Sequence, residues 1–152
     1  MLKSILSVVL FVSLVAGCVT AAGVAQSPNA RPGHDLIPPS FAGNFFTEIC
    51  LSTAPSFDNV PQAISGEPFV QDQVTGTYFH KYADLSIKVS DYGCSLVFQS
   101  ELGIDETIAE LAKGVRMNSE NWGVEIPWNI DITSIPSPLG NGRYYRIGLP
   151  RP

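Results

Sequence analysis

The stretch DLSIKVSDYGCSLVFQ, residues 84–99, reads as a β-hairpin. Leu85, Ile87 and Val89 alternate with Asp84, Ser86, Lys88 and Ser90, the period of a strand with one buried face. Asp91-Tyr92-Gly93 turns the chain. Cys94, Leu96 and Phe98 then resume the alternation against Ser95 and Gln99. A sheet with one apolar face must be covered by another layer, so the flanking segments have to supply helices.

They do on both sides. TGTYFHKY, residues 75–82, is a partner strand placed just before the hairpin. After it, Ile104, Ile108, Leu111, Ala112 and Val115 follow the spacing of an amphipathic helix, with Gly114 expected near its end. EIPWNIDITSI (125–135) and RYYRIGL (143–149) read as two closing strands, joined by a loop holding the Asn141-Gly142 turn signal. Upstream, Phe41, Phe45, Ile49 and Cys50 have helical spacing, with Asn44 as N-cap and Pro55 as stop. SFDNVPQAISG (56–66) reads as a second short helix capped by Ser56 and ended by Gly66. The expected fold is α+β, a small, mainly antiparallel sheet with helices on one face, in the order α-α-β-β-β-α-β-β.

The chain has 152 residues, enough for one core of ordinary size and too few for two. Its formal net charge is −5 and only 15% of its residues are charged. With no basic cluster to neutralise phosphates, it is a poor partner for nucleic acid. It also offers no broad basic patch to anionic lipid.

The N-terminus gives an address. In MLKSILSVVLFVSLVAGC, Lys3 is a positive n-region, Ile5 to Ala16 form an apolar h-region, and small residues follow. Val15-Ala16-Gly17-Cys18 resembles the lipobox of bacterial lipoproteins, in which small residues admit the backbone to a narrow peptidase site ahead of a cysteine. The resemblance covers residues 1–18 and implies a diacylglyceryl group on the Cys18 thiol and cleavage before it. Val stands where the family most often has Leu. The resemblance also implies, through Val19 after the cysteine, delivery to the outer membrane facing the periplasm in a Gram-negative host. Two other readings are open. Cleavage near Val19-Thr20-Ala21 would leave a soluble periplasmic or secreted protein. Alternatively, the uncharged run Ile5–Ala25 would remain as a spanning helix, although its second half is rich in Ala and Gly.

Parity of the cysteines fits the first reading. The chain has three. Acylation of Cys18 leaves Cys50 and Cys94, an even pair in an oxidising compartment, expected as a disulfide pinning the first helix to the sheet. The domain plan is therefore a signal at 1–17, a flexible tether at 18–40 rich in Ala, Pro, Gly and Ser, and one α+β domain at 41–152. The tether would reach at most ~70 Å.

Motifs for chemistry are sparse. His34 falls in the tether and His80 in a strand, where His80 and Asp84 do not have metal-pair spacing. No nucleophile elbow, zinc-protease helix or phosphate loop is present in the sequence. Glu106, Glu110 and Lys113 read as a solvated helix face. No cofactor, metal site or catalytic residue is expected, although triads are spatial and leave an unrecognised hydrolase open. Aromatic and Arg residues gather toward the C-terminus, and such residues dominate binding hot spots. The expected function is a lipid-anchored, non-catalytic envelope protein that binds a partner protein, with Trp128, Arg143, Tyr144 and Arg146 as the candidate surface. A periplasmic inhibitor or immunity-type protein is the alternative.

Overall fold

A computed structural model describes residues 34–138 and 142–152. The signal segment, Cys18, most of the tether and Asn141 of the expected turn lie outside the described residues. The fold is α+β. Helix α1 (Pro39–Phe46) runs on as a π-helical turn (Thr47–Leu51), and the short α2 spans Val60–Ala63. Four strands follow: β1 (Phe69–Gln71), β2 (Tyr78–His80), β3 (Leu85–Ser90) and β4 (Gly93–Ser100). Helix α3 (Ile104–Trp122) then crosses to β5 (Asp131–Pro136) and β6 (Arg143–Pro150). All pairings are antiparallel in the spatial order β1-β2-β3-β4-β6-β5. The expected order of elements is thus recovered with one strand added, the three-residue β1.

The alternation read from the hairpin sets the layer. Leu85 pairs with Phe98 and Ile87 with Leu96. Leu96 pairs onward with Ile147 and Phe98 with Tyr145. These side chains are buried on one face, beneath Phe46, Ile49, Leu111 and Val115 of the helices. The Phe98 and Tyr145 rings stack with centroids 5.6 Å apart. The Tyr145 hydroxyl is buried and, among the described residues, has no hydrogen-bond partner. A buried donor left unpaired opposes folding. Tyr145→Phe is therefore expected to raise stability by roughly 1 kcal/mol, read as a higher urea midpoint with an unchanged slope. A lower midpoint would show that the hydroxyl is satisfied in solution.

Cys50 and Cys94, both buried, form a disulfide across a sequence separation of 44, with Cα atoms 5.6 Å apart. It joins the π-helical turn to the first residues of β4.

Several local expectations are corrected. Helix α1 begins at Pro39, inside the stretch read as linker, with Pro38 as N-cap. Asn44 sits mid-helix, where its carbonyl accepts from Asn118 Nδ2 at 2.9 Å. Proline suits a first turn because its missing N–H would be unpaired there in any case. Further upstream, Asp35 bridges Ala83, so the ordered chain reaches back beyond residue 41. Ser56 accepts from the N–H of Asp58 at 3.3 Å and does not cap α2, whose N-cap is Asn59. Gly114 does not end α3. The helix runs on to Trp122 and stops at Gly123, whose φ of 62° is the left-handed conformation that glycine adopts without steric cost. The N–H of Val124 returns to the carbonyl of Ser119 and that of Gly123 to Glu120, pairing carbonyls that the helix end leaves open.

Gly114 instead belongs to a close crossing. Cβ atoms built on Gly43 and Gly114 would collide with the opposite backbone, at Leu111 O and Ser40 O respectively. Thr47 Oγ1 reaches the Val115 carbonyl across the same contact at 3.3 Å. The buried face of α3 is accordingly Thr107, Leu111, Gly114, Val115 and Ser119. Ile104 and Ile108 are 45% and 38% exposed, and Ala112 is exposed too. The apolar stripe expected from spacing is rotated relative to the face that packs.

Candidate functional site

The helices cover one face of the sheet. On the other, register builds two cross-strand rows: Gln99, Tyr144 and Ile135, then Val97, Arg146 and Thr133. Strand alternation puts these residues there, since Tyr145, Ile147 and Leu149 between them point into the core. Val97, Ile135, Tyr144 and Arg146 line a shallow hollow of about 240 Å³.

Two anchors fix its polar side chains. The Tyr144 hydroxyl donates to Asp84 Oδ2 at 3.1 Å, and Asp84 is buried. Arg146 Nη1 meets Asp131 Oδ2 at 3.2 Å, with both side chains about half exposed. In high dielectric such a pair contributes at most about 1 kcal/mol, so it orients the guanidinium more than it stabilises the fold. Gly148 leaves the room in which that guanidinium lies; a Cβ there would stand 3.1 Å from Nη2.

The four residues of the candidate surface are only partly brought together. Tyr144 and Arg146 share the open face. Arg143 alternates to the helix side, where Nε donates to Ser134 Oγ at 3.1 Å. Trp128 is 97% exposed in the loop that precedes β5. That loop lies at the Gly148 end of β6, whereas Arg143 pairs with Pro136 at the other end. Val97 and Ile135 were not singled out by sequence reasoning. A signal existed, because Val97 is an apolar residue at an outward position of an otherwise alternating strand, and Ile132 and Ile135 are an odd number of residues apart.

Among the described residues, no group of three His, Cys, Asp or Glu side chains is placed to hold a metal ion. No described helix is long and apolar enough to cross a membrane. Glu110 and Lys113 form an exposed pair at 3.7 Å.

His80 has a structural role. Its Nδ1 accepts the backbone N–H groups of Tyr82 (3.2 Å) and Ala83 (2.9 Å). Segment 82–84 in turn grips the incoming chain, with Asp35 N–H on the Tyr82 carbonyl and Asp84 N–H on the Asp35 carbonyl. Partial burial lowers the His80 pKa below its ordinary value; Glu67 opposes that shift and His34 adds to it. Because the folded state favours neutral imidazole, the stability His80 contributes is fully present above the ordinary value of about 6.5. It is lost as pH falls through the lower folded value. The urea midpoint should therefore fall between pH 7.5 and 5. His80→Asn, whose Oδ1 accepts the same amides at any pH, should show a shallower fall. Equal slopes in the two proteins would remove His80 from this role.

No family model, no curated protein and no solved structure matches the chain. The reading of its function rests on its own residues.

Proposed function

We propose that this chain is an exported, lipid-anchored and non-catalytic envelope protein whose folded domain binds a partner protein through the open sheet face. The observation that carries the reading is that face: a six-stranded sheet whose second side presents Val97, Ile135, Tyr144 and Arg146. Tyr and Arg are among the residue types enriched in binding hot spots, and here apolar Val97 and Ile135 flank them. The Cys50–Cys94 disulfide fits an oxidising compartment. The lipobox-like Val15-Ala16-Gly17-Cys18 supports attachment through Cys18 to the outer membrane, facing the periplasm.

The test has two arms. Intact mass of the native protein should show a chain that begins at Cys18 and carries acyl mass, while Cys18→Ala should accumulate as precursor. Normal cleavage without acyl mass would refute the anchor. Cross-linking in intact cells should capture a partner, and Ile135→Asp with Arg146→Ser should cut capture at least tenfold, about 1.4 kcal/mol. These positions serve better than Tyr144, because truncating Tyr144 would strip a hydrogen bond from buried Asp84 and confound binding with stability. Undiminished capture by a variant with normal melting would refute the surface.

A further inference from the structure

We propose that the hollow between the π-helical turn, α2 and the end of α3 binds a saccharide ring, with the Trp122 indole as its platform. It is an open hollow of about 600 Å³, lined in part by exposed side chains, and lies apart from the open sheet face. Glu48, Asn59, Gln62 and Trp122 line it, together with the hydroxyl residues Ser52 and Thr53.

The backbone at the hollow departs from regular structure. Thr47–Leu51 is a π-helical turn, a form found mostly as short bulges and often at functional sites. Irregularities that the surrounding structure must maintain gather at ligand sites.

The side chains supply the second argument. Asn59 occupies the N-cap of α2 yet makes no capping bond, although capping is what Asn at that position commonly does. Among the described residues, no hydrogen bond engages the side-chain ends of Glu48, Asn59 or Gln62. Ser52 and Thr53 donate their hydroxyl protons to the carbonyls of Glu48 and Ile49, which leaves their oxygens able to accept. Trp122, the last residue of α3, is 53% exposed.

These groups select a ligand class. Glu48 is the one charged side chain among the lining residues, and its sign repels phosphates and carboxylates. What remains is a neutral molecule with one apolar face to lie on the indole and several hydroxyls to meet a carboxylate, two carboxamides and two hydroxyl oxygens. A pyranose ring has that form. An organic ammonium would use Trp122 and Glu48 but would leave the carboxamides idle.

The protein has two Trp residues, so Trp128→Phe makes Trp122 the single tryptophan reporter. Glucose, N-acetylglucosamine and its β-1,4-linked dimer are the probes. At least one should shift Trp122 emission to the blue, saturating with half-effect near about 1 mM. Adding Glu48→Ala and Asn59→Ala should raise that concentration at least tenfold, with the melting temperature little changed. Three results would each overturn the proposal: no saturable shift up to about 100 mM, two orders weaker than expected; an equal response in the Glu48/Asn59 variant; or saturation by choline and not by any sugar.

Discussion

Loss of the Cys50–Cys94 disulfide is expected to lower the stability of the domain by about 4 kcal/mol in the chain-entropy account of a 44-residue separation. Typical domains are stable by only about 5–15 kcal/mol, so much of the margin would go. Both cysteines are buried, and a Cys50→Ala, Cys94→Ala variant adds the cost of two small cavities to the loss of the link. Equilibrium urea unfolding of the oxidised protein against the double variant measures the difference. Peptide mapping without reductant should first recover both cysteines in one linked fragment. A difference under about 1 kcal/mol would mean that the unfolded chain is not constrained as the entropy account requires.

Gly114→Ala is expected to be nearly as damaging, though it replaces a poor helix former with the best one. Propensity alone would favour Ala by about 1 kcal/mol in the interior of α3. The new Cβ would stand 1.9 Å from Ser40 O and 2.7 Å from the Ser40 carbonyl carbon. Both are backbone atoms of α1, so no side chain can rotate aside, and the two helices would have to move apart. Their separation would break the bonds from Thr47 to the Val115 carbonyl and from Asn118 to the Asn44 carbonyl. Stability should fall by roughly 3 kcal/mol or more, which for a domain of this size lowers Tm by upwards of about 10 °C. Gly66→Ala is the control, since nothing lies within 4 Å of a Cβ there. A Gly114→Ala protein as stable as the control would show that α1 and α3 pack less closely than described.

The period-2 pattern of residues 84–99 determined the sheet, because strand alternation is local and each apolar residue of it reports the same buried face. The closing strand was legible for the same reason, down to Tyr145 in the core and Tyr144 and Arg146 outside. β1 carried no such signal. Three residues with one partly buried side chain are too short to show a period, and only pairing with β2 makes them a strand. The existence of α3 was also legible, but the face it buries was not. Spacing of Ile104 and Ile108 marks an apolar stripe, whereas tertiary structure buried Gly114 where α1 approaches the backbone closely and Thr107 where its hydroxyl meets Ser100 of β4. Hydrophobicity does not record that approach. The placement of Arg143 and Trp128 at opposite ends of the sheet depends on register and on a loop, both fixed by long-range pairing. So does the hollow at Trp122, whose walls are some 60 residues apart in the chain. Local sequence thus determined which elements form and which strand faces are apolar. Only the tertiary structure decided which surfaces meet, because close backbone contact and pairing between distant segments leave no periodic trace in either partner.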